Sequence, residues 1–280
     1  MKIQSAGRLG NTLFIWAYAS NLAKISKVGR VEIFADKYHS SIDETLIDTF
    51  QKLSSNEVNF SIDNKAGLML KIIDRMAVST PRVTKVLRNK LRIQTEDQDV
   101  MTNEAWIQRG YFQDSVHFRA IKNEIQVRLR KVISNLKYAS DLTSKFPFLQ
   151  EEYQAIHVRL SDFIDSEMGV ISLESQMNCL EKDLNTIICT DGSRDDILSR
   201  TTRQDFEIIT PTESTAWETL LILSEAKLLV TSNSTLSWWS GFISAGNGNK
   251  VWIPKIWNKN RTTAMPLPFK NVSMYTPKFE

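Results

Sequence analysis

The run Tyr153-Gln154-Ala155-Ile156-His157-Val158-Arg159-Leu160-Ser161-Asp162 places an imidazole, a guanidinium and a carboxylate within six residues. Ile156, Val158 and Leu160 alternate with Ala155, His157 and Arg159, the period-two pattern of a short strand. One face is aliphatic. The other carries His157 and Arg159, with Asp162 just past the strand end. In open α/β sheets ligands bind beyond the carboxyl ends of strands, where polar groups converge. The planar, permanently charged fork of Arg159 suits a phosphate, which it can grip through two hydrogen bonds. An Arg–Asp pair that merely closes a strand end uses the same residues, so this stretch alone leaves both readings open.

Other strand ends carry similar chemistry. Thr231-Ser232-Asn233-Ser234-Thr235-Leu236-Ser237-Trp238-Trp239 follows the apolar run Leu228 to Val230 and supplies five hydroxyls and an amide. At a strand-to-helix turn, hydroxyls and backbone N–H groups can cradle an anion. A helix N-cap accounts for one hydroxyl well and for five poorly. Asp191 and Gly192 end the strand Thr186 to Thr190. In the other half of the chain, Gly7 and Gly10 sit between a strand at Met1 to Gln4 and a helix with Leu13, Phe14, Ala17, Leu22 and Ile25 inward. Two glycines permit a sharp turn and close approach of a ligand to the backbone. No Lys-Ser/Thr follows and the third glycine of the dinucleotide fingerprint is missing, so alone this block reads as a tight turn. Together with His157, Arg159, Asp191, Ser234 and Thr235, the Gly7–Asn11 block fits a phosphate-binding cleft between two α/β domains.

The elements that must position these groups alternate between strand and helix. Val31 to Ala35 reads as a second strand, Ala105 to Gln108 as another, and a long helical pattern runs from about His117 to Leu136. Phe146-Pro147-Phe148 punctuates the chain, which sets expected domains at 1–147 and 148–280. Further on come a helix around Leu173 to Lys182, a strand Phe206 to Ile209, a helix Thr215 to Ala226, a strand Lys227 to Val230 and a last strand Val251 to Pro254. Such alternation implies parallel sheets. Tyr38 to Gln98 is less legible. Within it, Pro81 to Arg92 interleaves five basic residues with aliphatics, a pattern that suits an anionic membrane surface or, more commonly, a solvated helix face.

The totals bound the class. A chain of 280 residues has length for one large or two medium domains, and 42% apolar with 24% charged residues is ordinary for a globular protein. Lys plus Arg numbers 35 against 32 Asp plus Glu, which argues against a dedicated nucleic-acid binder. Cys179 and Cys189 form no Cys-x-x-Cys pair and read as small apolar residues in a reducing compartment. No basic-then-apolar leader opens the sequence and no apolar run approaches ~20 residues, so a cytoplasmic location is expected.

Five blocks in order give the chain a resemblance to glycosyltransferase family 11, the α-1,2-fucosyltransferases, and more distantly to the α-1,6- and protein O-fucosyltransferases. Gly7-Arg8-Leu9-Gly10-Asn11 resembles the family's Gly-x-Leu-Gly-Asn, and Gly110-Tyr111-Phe112-Gln113 its Gly-Tyr-aromatic-Gln. His157-Val158-Arg159 with Asp162 resembles His-x-Arg-x-Gly-Asp, and Thr190-Asp191 the Ser-Asp-Asp strand end. Asn233-Ser234-Thr235-Leu236-Ser237-Trp238-Trp239 resembles Asn-Ser-Ser-Phe-Ser-Trp-Trp. The resemblance implies a GT-B fold of two Rossmann-like domains facing a central cleft. It implies an inverting, metal-independent transfer of fucose from GDP-fucose to a galactose-containing acceptor glycan, as in bacterial surface polysaccharide. Peripheral contact with the inner membrane surface is an expectation that rests on the basic stretch Pro81 to Arg92 instead. Arg159 would hold the β-phosphate, Ser234 and Thr235 with Asn233 the phosphates, and His157 and Asp191 the nucleoside side. Gly10 and Asn11 would reach in from the first domain.

The sequence departs from that pattern in three places. Ser161 replaces a glycine, Gly192 a second aspartate, and Thr219 the acid that reads guanine, with Glu218 beside it. For the base, the loop after the central strand offers Asp162, Asp165 and Glu167. Glu167 lies eight residues after Arg159, a spacing that resembles the catalytic Glu of the α-1,6 enzymes. Two other readings remain: a transferase of the same fold using another nucleotide sugar, and a noncatalytic glycan- or nucleotide-binding descendant.

Overall fold

The computed structural model describes residues 1–5, 7–25, 30–39, 42–95, 105, 107–139, 142–260 and 265–280. The chain divides by its packing into two units, Met1–Lys122 and Asn123–Glu280.

In the first unit the strands are β1 (Lys2–Gln4), β2 (Val31–Ala35), β3 (Val58–Ile62), β4 (Ile93–Thr95) and β5 (Ile107–Arg109). They form one parallel sheet in the order β3-β2-β1-β5-β4. The helices are α1 (Leu9–Ile25), α2 (Glu44–Leu53), α3 (Asn64–Ser79) and α4 (Pro81–Lys90). Parallel strands need crossovers, so helices cover the faces and the strands become apolar on both sides. Ile3, Ile33, Phe34 and Ile107 are accordingly buried. Leu13, Phe14 and Ala17 face inward as expected, but Leu22 is half-buried and Ile25 is exposed, because the last turn of α1 runs past the core.

One glycine in this unit is demanded by a carboxylate. Asp36, just past β2, is 0% exposed and accepts hydrogen bonds from the amides of Tyr38 and His39 and from Gln4 Nε2. Its Oδ1 also lies 2.8 Å from His39 Nδ1. Gly67 on α3 packs directly on it, and a Cβ there would overlap Asp36 Cβ and Cγ. Fixed by so many partners, Asp36 cannot step aside. Gly67→Ala should therefore destabilise the chain by about 1–3 kcal/mol, although the same change in a free helix stabilises by about 1 kcal/mol. Urea unfolding measures this, and an unchanged or raised midpoint would show that Asp36 gives way.

The second unit contains α5 (Lys122–Ala139), α6 (Leu142–Lys145), β6 (Tyr153–Val158), α7 (Leu173–Met177), β7 (Asn185–Thr190), α8 (Arg194–Leu198), β8 (Glu207–Ile209), α9 (Ala216–Glu225), β9 (Leu228–Val230), α10 (Thr235–Gly246), β10 (Lys250–Pro254) and β11 (Val272–Tyr275). Its strands make a second parallel sheet, β11-β10-β9-β6-β7-β8. The aliphatic face read from the sequence is real: Ile156, Val158 and Leu160 lie in one core with Ile188, Leu228 and Val230. The division at Lys122 falls upstream of the Phe146–Phe148 punctuation because α5 docks on α10. Arg130 Nη2 donates to the carbonyl of Gly246, and a Cβ on that glycine would run into the Gln126 amide.

Candidate functional site

The second sheet reverses its winding direction once. In the second unit the chain runs β6, β7, β8 to one side, then returns to place β9 on the other side of β6. The crevice beyond the carboxyl ends of β6 and β9 is thus the topological switch point, the position at which open α/β sheets bind ligands. His157 and Arg159 stand on one side of it and Thr231 to Thr235 on the other. Two of the blocks singled out in the sequence meet there.

Arg159 leaves the end of β6 with its guanidinium held by two carboxylates. Nη2 donates to Asp162 Oδ1 at 2.7 Å, and Nη1 lies 2.8 Å from Asp191 Oδ2. The Phe163 ring lies under the fork, 5.3 Å from its carbon, and Nε is buried without a hydrogen-bond partner. The two acids are not equivalent. Asp191 also accepts from the Leu160 amide at 2.6 Å and from Ser161 Oγ, which splices the end of β7 to that of β6. Burial pushes its carboxyl up, but those donors and the charge of Arg159 outweigh burial and hold it below the ordinary range. Asp162, on a single turn at Ser161–Phe163, has a side chain 53% exposed. An anion arriving at Arg159 displaces Asp162 at lower cost.

His157 is enclosed. It is 2% exposed, with Nδ1 3.2 Å from Ser232 Oγ, and its carbonyl accepts from Gln176 Nε2. Burial lowers its pKa to about 4, an effect that nearby Arg159 reinforces and Asp191 opposes. The imidazole is neutral at pH 7.

Helix α10 begins at the switch point. Ser234 is its N-cap, yet its side chain makes no cap hydrogen bond. Ser237 instead turns its hydroxyl back to accept from the Ser232 amide at 2.9 Å. The first-turn N–H groups of α10 thus lack a side-chain cap, and helix N-termini carry partial positive charge. Thr235 is half-buried in that first turn. Asn233 does something the sequence did not foretell. Its amide is 1% exposed and donates to the carbonyls of Met168 and Gly169, each at 3.1 Å. It anchors the end of the acidic loop that bears Asp162, Asp165 and Glu167. Gly169 needs its left-handed φ of +68° there, with Lys259 and Phe279 packed against it. Asp165 and Glu167 are exposed, and the Glu167 carbonyl accepts from the Lys259 amide.

Glu218 is part of a capping box. Its Oε2 accepts from the Thr215 amide at 2.7 Å, while Thr215 Oγ1 accepts from the Glu218 amide at 3.2 Å. Thr219 pairs its hydroxyl with Ser214 at 2.9 Å.

The first unit has its own switch point, between β1 and β5. The Gly7–Asn11 block follows β1 and the Gly110–Gln113 block follows β5. They join through Gln113 Nε2, which donates to Asn11 Oδ1 at 2.9 Å. Gly7 has φ +78° and lies so close to the Asn11 amide that a Cβ would strike it. Gly10 is buried at the start of α1. Phe112, wholly buried and stacked on Tyr18 at 4.0 Å, holds φ +50°, a costly conformation for a residue with a Cβ. Beside these lies a polar network no motif announced. Arg109 grips Asp74 with both Nη groups at 2.8 and 3.0 Å and donates through Nε to Gln4, and Arg88 and His39 also face Asp74. Burial pushes the Asp74 carboxyl up, but these partners prevail and hold it below the ordinary range.

No family model matches the chain, and no curated protein sequence does. Among solved structures the chain is similar to a glycosyl transferase family 9 protein from Veillonella parvula, with a TM-score of 0.50 and 8% identity over 98% of this chain and 85% of that one. It is also similar to the E. coli ADP-heptose lipopolysaccharide heptosyltransferase II (TM-score 0.48, 11% identity, 98% and 89% covered) and to fucosyltransferase NodZ from Bradyrhizobium (0.44, 15%, 86% and 92%). At these identities the first likeness bears on fold alone. The fold is α/β of the GT-B type, with two parallel-sheet units, as the resemblance implied.

Proposed function

We propose that the chain is an inverting glycosyltransferase that moves fucose from GDP-fucose to a sugar hydroxyl, with α-1,2 transfer to galactose the expected linkage. One observation carries the reading: a permanently charged fork, Arg159, and the uncapped N-terminus of α10 face the same switch point. That pairing suits a diphosphate, whose charge grows as it leaves the sugar. In the proposed step the acceptor oxygen attacks the anomeric carbon opposite the diphosphate. The new C–O bond forms as the bond to the β-phosphate oxygen breaks, and the acceptor's proton passes to a carboxylate of the acidic loop. Glu167 suits that role better than Asp162, which is tied to Arg159. Asn233 is a positioning residue that fixes the end of that loop.

Glu218 reads guanine in this proposal only by leaving its cap. The bond given up, from the Thr215 amide to the Glu218 carboxylate, is a hydrogen bond to a charged group like the one gained, each about 1.5–3 kcal/mol. Glu218 therefore either swings in at little net gain or stays in its cap and leaves donor affinity weak.

Incubation with GDP-fucose and galactose-terminated acceptors, with and without EDTA, tests the reading. Turnover is expected in both conditions, since the buried carboxylate at the site, Asp191, is already taken by Arg159, the Leu160 amide and Ser161. The proposed grip on the diphosphate is Arg159, hydroxyls and backbone N–H groups in place of a carboxylate-held Mg²⁺ or Mn²⁺. Strict dependence on added Mn²⁺ would overturn the metal-free mechanism. Turnover only with another nucleotide sugar would correct the donor, and GDP binding without any turnover would favour the noncatalytic descendant.

A further inference from the structure

We infer that the outer face of α3 and α4 is a docking surface for an anionic lipid membrane. The inference is independent of the transferase reading. Residues 64–92 contain eight Lys or Arg and a single acid, Asp74, although the whole chain carries a net charge of only +3. Asp74 does not offset the outer charge, because it faces Arg88 and Arg109. Acidic residues resume only at Glu96.

The two helices share Thr80 as the C-cap of α3 and the N-cap of α4. Ala66, Gly67, Leu70 and Ile73 bury α3 against its unit, whereas α4 buries only Thr84. At 100° per residue, the side of α4 opposite Thr84 presents Arg82, Val86 and Asn89, flanked by Lys85 on one side and by Lys90 and Val83 on the other. Val83 and Val86 are 50% and 55% exposed, and Val78, at the corner between the helices, is 89% exposed. A solvated helix face mixes charges of both signs. Here cations alone interleave with exposed aliphatics, the composition of a helix lying in a membrane interface.

The same face suits a protein partner poorly. Residues 64–92 contain no Trp, Tyr or Phe, the anchors that dominate protein interfaces. An acidic polymer such as nucleic acid would satisfy the cations and leave the valines in water. A leaflet of anionic lipid takes both. Such docking needs no membrane-spanning segment, and among the described residues no helix is long and apolar enough to be one.

Co-sedimentation of the full chain with vesicles tests the inference. The protein is expected to bind vesicles of mixed phosphatidylglycerol and phosphatidylcholine, to ignore phosphatidylcholine alone, and to detach as salt rises. Combined Arg82→Glu, Lys85→Glu and Lys90→Glu should weaken binding on the order of 100-fold or more, from loss of three cations near the leaflet. Paired Val83→Ser and Val86→Ser should weaken it several-fold with the salt dependence kept. These positions are exposed, so an unchanged urea midpoint verifies the fold. Equal binding to both vesicle types, no binding to the anionic ones, or wild-type binding by the charge-reversed variant would overturn the inference. So would capture by nucleic acid in place of vesicles.

Discussion

Arg159→Ala is expected to lower transfer by ~100- to 1,000-fold, the usual loss when one preorganised group facing developing charge is removed. The chain should still fold. Arg159 ties down two carboxylates, but Asp191 keeps the Leu160 amide and Ser161 hydroxyl, and the Asp162 side chain is 53% exposed to water. The pair with exposed Asp162 is worth about 0–1 kcal/mol. That with Asp191, whose partners are 13% and 16% exposed, costs more to break, up to about 3–5 kcal/mol for a buried pair. A lowered urea midpoint is therefore expected alongside the catalytic loss. Arg159→Lys should fail almost as badly, since an ammonium keeps the charge and loses the planar fork. Asp162→Asn separates two roles. If Asp162 only occupies the fork until a phosphate displaces it, the amide should tighten donor binding and leave kcat near normal. If it is the base, kcat should collapse and lose its acidic limb. Near-normal turnover by Arg159→Ala removes Arg159 from the mechanism.

What the sequence revealed depended on whether the deciding partner was local. The alternation Ile156, Val158, Leu160 against His157, Arg159 is a local pattern, and it located the strand and its aliphatic face, although β6 is buried on both faces. Short edge elements lacked that signal. β11 is Val-Ser-Met-Tyr, with Ser273 and Met274 exposed, and nothing in it alternates cleanly. The helix expected over Leu173 to Lys182 stops at Met177, where the backbone turns over at Asn178. The switch points were invisible because winding direction is a property of whole sheets. The block residues were found, but several partners were not. Asn233 reads as a phosphate ligand until its amide is seen on carbonyls more than sixty positions away. Asn11 and Gln113 meet across 102 positions. Glu218 is different in kind: Thr-x-x-Glu at a helix start is itself a capping signature, legible from Thr215 onward.

The chain should lose stability between pH 6.5 and about 4 in a way that His157 governs. In the folded state burial holds its pKa at about 4, and in the unfolded chain it returns to near 6.5. At pH 7 both states leave it neutral and it contributes nothing to the pH slope. As pH falls below 6.5 the unfolded chain gains a proton that the folded one refuses, so the balance shifts toward unfolding. At 1.36 kcal/mol per pH unit, the full difference amounts to roughly 3 kcal/mol by the time the folded imidazole titrates. Asp191 and Asp74 have depressed values, so their stabilising contribution is kept above the ordinary carboxylate range and lost only at lower pH. The histidine window is therefore separable from theirs. Other groups contribute to the pH slope as well, which is why the comparison must be with a variant. Urea midpoints of the wild type should fall between pH 7 and 4.5, and those of His157→Gln should fall markedly less, whatever their absolute level. The physical ground is a ring with 2% exposure whose Nδ1 faces a hydroxyl and whose strand neighbour is a guanidinium, a setting with no room for a second cation. Parallel pH profiles for the two proteins would mean that the imidazole is charged or wetted in the fold, and that the end of β6 is more open than its burial states.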